Sequence, residues 1–179
     1  IYWVDFMWHS RGTNFSCYCF LFEIFHGDIL PYIARKIYQN SIDSSINQYS
    51  SNEILEILRT SFESLGYLIE KDKTSEGKIK VPVLFGLNGS YDKSFDADGY
   101  HKELKTVVEV EAGRGVTNYQ FLKDLFQACV MHDVDYLIIA IRNIYRDSQD
   151  FNKVISFFDT IYASSRLKLP LKGILIVGY

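Results

Sequence analysis

The stretch from Phe95 to Gly115 reads FDADGYHKELKTVVEVEAGRG and contains the pattern that decides the fold. Its second half, Val107 to Ala112, places Glu109 and Glu111 among apolar residues and is typical of a β-strand. Successive side chains of a strand point to opposite faces, so the two glutamates share one face, about 7 Å apart. Because unpaired buried charge is costly, we expect a divalent cation to bind these carboxylates.

An acidic segment, Asp96-Ala97-Asp98-Gly99, precedes that strand and is predicted to form a turn. One of its two aspartates is expected to join the glutamates, and Asp98 is the better candidate because it lies nearer the strand. Asp96 stays an alternative, with the other aspartate shaping the turn. A simpler interpretation of the glutamates is that they face water on a solvated side of a sheet.

Outward from this stretch, the chain alternates strand and helix patterns. Helices are predicted over Glu53–Leu65, from a capping box at Thr117 and Gln120, and around Phe151–Tyr162. Strands are predicted over Tyr67–Lys71, Lys78–Phe85, Val107–Ala112, Tyr136–Ile141 and Ile174–Val177. Strand-helix-strand order favours parallel pairs, and the hairpins of the middle region favour antiparallel pairs. The prediction is an α/β fold of three layers, a central mixed β-sheet flanked by helices.

A chain of 179 residues is long enough for one core, so we expect a single domain over residues 1–179. Its first part, residues 15–65, is predicted to be helical, with one helix starting near Phe15 and a second ending near Gln39. Residues 66–179 are predicted to form the sheet and the catalytic core.

Composition limits the partners and the compartment. The formal charge of −3 gives no overall basic footprint, so nucleic acid would have to bind through a local patch. The three cysteines lack C-x-x-C spacing, which argues against a zinc site and favours a reducing compartment. Charges interrupt the apolar stretches well short of a membrane span. We expect a soluble, cytoplasmic protein that does not bind membranes.

The carboxylates suit magnesium, which takes oxygen ligands and binds through one or two carboxylates plus waters and substrate phosphates. Asp98, Glu109 and the carbonyl of Val110 are the predicted ligands. Such an ion activates water and neutralises a phosphate, and Glu111 is placed to position or deprotonate that water.

At these residues the sequence resembles the PD-(D/E)XK nuclease superfamily, whose pattern is an aspartate, a variable gap and then acid-x-lysine on the next strand. Asp98 matches the aspartate and Glu109-Val110-Glu111 the second half, with Glu111 in place of the lysine. That replacement is similar to the BamHI/BglII branch of type II restriction endonucleases. The resemblance is best from about Phe95 to Asp124.

The resemblance implies a restriction-endonuclease-like fold and a Mg²⁺-dependent endodeoxyribonuclease that cuts double-stranded DNA as a homodimer, in restriction-modification or another defence role. It also implies a supporting acid on the helix before the first strand, for which the candidates are Glu53, Glu56 and Glu63. The candidate phosphate and DNA contacts are Arg114, Asn118, His101 and Lys102, although surface arginines, loop histidines and lysines are often only solvated.

Two other functions stay open at this point. The missing lysine and the acidic charge favour a catalytically idle nuclease-like domain that binds DNA or a protein. The short chain leaves little room for a base-reading module, which favours a non-specific or repair nuclease.

Overall fold

The computed structural model describes residues 16–21, 42 and 47–179. Its main sheet has six strands: β1 (Ser16–Leu21), β2 (Leu68–Ile69), β5 (Gly99–His101), β6 (Thr106–Glu111), β7 (Tyr136–Ile141) and β8 (Gly173–Gly178). They lie in the order β1-β8-β7-β6-β5-β2. The pairs β6–β7 and β7–β8 are parallel and the others are antiparallel, so the predicted mixed sheet is confirmed.

The central strands of this sheet are buried on both faces. The side chains of β7 and β8 are almost wholly apolar, which is what a strand covered on both sides requires. β6 lies between β5 and β7, and the central position predicted for the glutamate-bearing strand is therefore confirmed. Two buried clusters fill the spaces on the opposite faces of the sheet.

Helix α1 (Ser51–Glu63) covers one face of the sheet through Ile54, Leu55, Leu58 and Phe62. Its start is fixed by a capping box in which Ser50 and Glu53 satisfy each other's backbone N–H groups. The predicted helix Glu53–Leu65 is thus correct to within two residues. The chain turns out of α1 at Gly66, whose φ of 90° favours glycine.

Helices α2 (Gln120–Val130) and α3 (Asp150–Ser164) pack on the other face. With α1 they give the arrangement of a three-layer α/β fold. The capping box predicted at Thr117 and Gln120 is wrong, because α2 begins only at Gln120 and follows Tyr119 in the left-handed conformation. Backbone hydrogen bonds close the turn from Arg114 to Tyr119 instead. In one of them the backbone N–H of Asn118 donates to the Arg114 carbonyl at 3.0 Å.

A hairpin of β3 (Ile79–Phe85) and β4 (Tyr91–Ala97) forms a second, two-stranded sheet. The turn predicted at Asn88-Gly89 joins its strands, and Pro82 lies at a register shift, as expected for an edge strand. The predicted acidic turn is wrong: Asp96 and Ala97 belong to β4, and the chain only bends at Asp98 before β5. Cross-strand pairing of Asp96 with Lys80 and of Ala97 with Ile79 holds this segment extended.

The start of the chain differs from the prediction. Residues 16–21 form the edge strand β1, paired antiparallel with β8 from Ser16–Gly178 to Leu21–Gly173, and not the helix predicted near Phe15. A run of six residues is too short for periodicity to separate strand from helix, and the pairing with β8 decides between them. The second predicted helix, ending near Gln39, lies outside the described residues. In the part of the chain that the structure describes, no helix is long and apolar enough to cross a membrane.

Candidate active site

Asp98 lies at the bend between β4 and β5, where it is held against β6. One carboxylate oxygen of Asp98 accepts a hydrogen bond from the Val110 N–H at 2.8 Å. Burial raises the pKa of Asp98 to about 6, although this hydrogen bond and the charge of Lys73 lower it. Asp96 instead forms a surface ion pair with Lys78 at 2.6 Å. Of the two aspartates, Asp98 is therefore the one beside the glutamate strand.

Glu109 is buried on β6, on the face covered by α2 and α3. Its neighbour on the same face, Val107, belongs to the apolar cluster there. Burial raises the pKa of Glu109 well above its usual value, and the charges of Asp98 and Asp124 raise it further. The solvated-face interpretation of this glutamate is therefore wrong.

Glu111 lies on the same face, at the end of β6, and shares a hydrogen bond with Asp124 on α2. Burial raises the pKa of Glu111 to about 8, with the charge of Asp124 as the next cause. Burial also raises the pKa of Asp124, against the hydrogen bond with Glu111 and the charge of Lys123. Two carboxyl groups can share a hydrogen bond only if one is protonated, so this pair holds a proton near neutral pH.

Gly115 gives Glu111 the room that this position requires. A Cβ atom at Gly115 would lie 3.1 Å from the Cβ of Glu111 and 3.0 Å from the Cδ1 of Ile141. The loop after β6 therefore packs directly on the glutamate. A side chain at position 115 would therefore press on Glu111 and Ile141.

The Val110 backbone faces Asp98. Beyond Val108, which pairs with Gly99, β6 extends past β5, and the Val110 N–H donates to Asp98. The N–H and C=O of one strand residue point toward the same neighbouring strand, so the Val110 carbonyl also points to the Asp98 side.

Two further acids, Glu70 and Asp124, belong to the site and were not predicted. Glu70 follows β2, and its N–H donates to the Asp98 carbonyl at 2.8 Å. The charge of Glu70 raises the pKa of Asp98. The sequence does contain a signal for Asp124, because it falls on the buried α2 stripe formed with Phe121, Leu125 and Ala128.

The supporting acids predicted on α1 do not reach this site. Glu53 caps its own helix at Ser50, and Glu56 and Glu63 are exposed and pair with Arg59. The apolar side of α1 also packs on the opposite face of the sheet from Glu109. The acid that reaches Asp98 from the first strand of this region is Glu70, so the α1 candidates are wrong.

The candidate DNA contacts separate into two groups. Arg114 and Asn118 are exposed on the loop that follows the glutamate strand, next to the site. His101 and Lys102 lie at the opposite end of β6, where the turn between β5 and β6 begins. His101 is also buried, with Nε2 donating to the Leu65 carbonyl and Nδ1 accepting from the Leu104 N–H. Neither can act beside Glu109, and both are wrong as contacts of this site.

The cluster carries an excess of negative charge. Its five acids are Glu70, Asp98, Glu109, Glu111 and Asp124. Within residues 47–179, the ion pairs that reach them come from Lys73 and Lys123, with Lys123 Nζ lying 3.5 Å from Asp124. Burial first, and then the charges of neighbouring carboxylates, raise the pKa values of Asp98, Glu109 and Glu111.

The donor set fits magnesium better than a three-ligand metal. Among the described residues, no group of three or more His, Cys, Asp or Glu side chains is arranged to hold a metal ion. Magnesium needs fewer protein ligands, because it keeps several waters and binds through one or two carboxylates. Asp98, Glu109 and the carbonyl of Val110 would supply two carboxylates and one further oxygen for such an ion.

Comparisons with known proteins returned no relative: no family model, no curated protein and no solved structure matches this chain. The functional argument therefore depends on the geometry of this site and on the residues that form it.

Proposed function

We propose that this protein is a magnesium-dependent nuclease that hydrolyses phosphodiester bonds of double-stranded DNA. The observation that carries the proposal is that Glu109 is buried and Asp98 is largely buried, that their charges interact, and that three more acids lie at the same end of the sheet. Such crowding destabilises the fold, so it is expected where a function requires it.

The order of elements supports the resemblance to PD-(D/E)XK nucleases and the corresponding fold. Helix α1 is followed in the chain by β2, by the β3–β4 hairpin, by β5 and β6, and then by α2 and by β7, which is parallel to β6. Apart from that hairpin, the strands between α1 and α2 are neighbours in the main sheet, in the order β2, β5, β6. Asp98 directly precedes the second of these strands, and Glu109-Val110-Glu111 lies on the third. Glu109 and Glu111 on one strand, with Asp98 immediately before the neighbouring strand, support the resemblance.

Asp98, Glu109 and the Val110 carbonyl would hold the magnesium ion. The ion would supply charge neutralisation at the phosphate and a more acidic bound water. Val110 also donates its N–H to Asp98 and so fixes that carboxylate relative to the strand.

Glu111 is the residue that would handle the proton of the attacking water. A group with a pKa of about 8 exchanges protons efficiently near neutral pH, and its hydrogen bond with Asp124 orients the carboxyl group. Asp124 would act as a positioning residue, because it reaches the reacting water only through Glu111.

A local basic patch at the carboxyl ends of the parallel strands would supply what an acidic protein needs for DNA. Tyr145 lies close to Gly113, and the guanidinium group of exposed Arg146 lies 5.4 Å from its ring centre, whereas Arg142, at 5.8 Å, is buried. Exposed Arg114 lies on the neighbouring loop. These loops follow β6 and β7 directly and so border the acidic site.

Replacing Arg114 or Arg146 by Ala is expected to weaken duplex binding and to reduce its salt dependence. Each lost phosphate contact should lower the slope of log affinity against log salt by about 0.9. Fluorescence anisotropy with a labelled duplex in calcium buffer measures this slope. Arg166→Ala is the matched control, because Arg166 is exposed before β8, at the other end of the sheet. If all three variants show the same slope of log affinity against log salt, Arg114 and Arg146 do not contact the DNA.

An apolar strip on the outer face of α2 supports a homodimer. Phe126 and Val130 are 60% and 51% exposed, and Tyr119 is exposed at the start of the same helix. Exposed large apolar residues in a row are typical of interaction surfaces. We expect a dimer in analytical ultracentrifugation and a monomer for Phe126→Asp. A monomeric parent protein at micromolar concentration would contradict the dimer without affecting the active site.

Incubation of supercoiled plasmid with the protein and either magnesium or manganese tests the proposed activity. Discrete fragments indicate a restriction-type enzyme, and smearing indicates a non-specific or repair nuclease. The second candidate is an idle nuclease-like domain that binds DNA or a protein, and it is favoured by Glu111 at the position of the family's lysine. Plasmids with and without base modification that stay intact in both metals, while duplex binding persists, would establish this second function.

A further inference from the structure

A lysine from outside the predicted motif reaches into the acidic site. Lys73 lies in the loop between β2 and β3, and its Nζ is 2.6 Å from Glu70 Oε1 and 3.9 Å from Asp98 Oδ1. Its side chain is 58% exposed, whereas that of Glu70 is 5% exposed. The ammonium group therefore contacts carboxylates at the edge of the buried cluster, while more than half of the Lys73 side chain is exposed.

The charges around Lys73 link it to the proposed metal ligands. Burial by itself would lower the pKa of the Lys73 ammonium, but the hydrogen bond with Glu70 and the charges of Asp98 and Glu109 outweigh it and raise the pKa. In return, Lys73 lowers the pKa of Asp98. The ammonium thus interacts with both carboxylates that would bind magnesium.

We propose that Lys73 is the site's own counter-ion and competes with the divalent cation for the same carboxylates, so that metal binding displaces the ammonium group. This inference rests on the proposed metal site. The Lys73 ammonium lies 3.9 Å from Asp98 Oδ1, and a divalent ion bound to the same carboxylate would repel it strongly in this partly buried site. Since the divalent ion carries more charge than the ammonium group, it displaces that group from the carboxylates once its concentration is high enough.

Displacement requires little change in the fold. The loop is closed by the Lys71 N–H donating to the Gly77 carbonyl at 2.9 Å and by Asp72 accepting from the Thr74 N–H at 2.8 Å, contacts that do not involve the Lys73 side chain. Lysine has a flexible four-carbon stem, so rotation about its own bonds moves the ammonium away. The released cation stays at the mouth of the site, where a substrate phosphate would arrive.

Isothermal titration with manganese or magnesium alone, without DNA, tests the competition. Lys73→Ala is expected to bind manganese about tenfold more tightly than the parent protein. Lys73→Arg keeps the charge and should not bind more tightly. Lys71→Ala is the matched control, because Lys71 is exposed in the same loop and makes no ion pair with the cluster within residues 47–179.

The outcomes separate this inference from the proposed function. If the parent protein binds metal tightly and Lys73→Ala binds it with equal affinity, Lys73 does not compete with the metal, although the proposed metal site is retained. Absence of metal binding in the parent, Lys71→Ala and Lys73→Ala would overturn both. Metal binding by Lys73→Ala alone would support a counter-ion strong enough to exclude metal from the parent protein.

Discussion

Replacing Asp98 by Asn, or Glu109 by Gln, is expected to reduce magnesium-dependent DNA cleavage about a thousandfold, equivalent to about 4 kcal/mol of transition-state stabilisation. Each change removes one of the two carboxylates that would hold the ion, and an amide oxygen is a much weaker ligand for a hard cation. Initial rates on supercoiled plasmid measure the loss. Titration of magnesium should show weaker binding in the same variants.

Asp96→Asn is the control for that experiment. Asp96 is two residues from Asp98 but lies on the surface, paired with Lys78. This variant should cleave at the parent rate, since a surface ion pair contributes little to stability. Variants at Asp98 or Glu109 that are folded by circular dichroism and still cleave as fast as the parent would exclude the proposed site.

The same variants are expected to fold at least as well as the parent without metal. Glu109 is buried among acids that raise its pKa, so a neutral glutamine removes a repulsive group from the cluster. A loss of activity in these proteins would then arise from the site and not from unfolding. This pattern, more stable but less active, is typical of residues kept for function.

The part of the fold around the glutamate strand could be predicted because its signals are local. The alternation of Glu109 and Glu111 with valines determines their shared face, and the continuous apolar run of β7 requires burial on both sides. Sheet order then follows from short connections and right-handed crossovers. These signals need no knowledge of distant residues.

The rest depended on contacts between segments far apart in the sequence. Residues 16–21 form a strand because they pair with β8, which lies more than 150 residues later in the chain. Glu70 joins Asp98 only through the pairing of β2 with β5, and a two-residue strand has too little pattern to reveal it. His101 looked like a solvated loop residue because its partner, Leu65, lies on another element.

Asp124 is the instructive exception, because its signal was present in the sequence. On α2 it occupies a position that the helical repeat assigns to the core, and a charged residue there conflicts with packing. Local rules fail most often at functional sites. A search for charged residues on otherwise apolar helix stripes would therefore have identified the partner of Glu111.

The metal-free protein is expected to lose stability as the pH rises from about 5 to about 8. Burial raises the pKa of Glu111 from 4.5 to about 8, so in this window the folded state keeps a proton that the unfolded chain has released. A folded state that binds more protons becomes less stable as the pH rises, by about 1.4 kcal/mol per pH unit for each proton. Asp98, with a pKa of about 6, steepens the lower half of the window. Urea unfolding in EDTA at a series of pH values measures the slope.

Glu111→Gln should reduce the slope of unfolding free energy against pH by the amount that corresponds to about one proton, because glutamine does not titrate. Glu56→Gln provides the control, since Glu56 is 72% exposed on α1 and lies away from the cluster. Magnesium should also reduce the slope, because it binds the ionised carboxylates and stabilises the folded state more at high pH than at low pH. Equal slopes in EDTA for the parent and Glu111→Gln would mean that Glu111 is ionised in the folded protein, and the proton shared with Asp124 would have to be rejected. A flattened slope in Glu111→Gln would instead assign that proton to the pair, which is the state from which a proton transfer to or from water near neutral pH can begin.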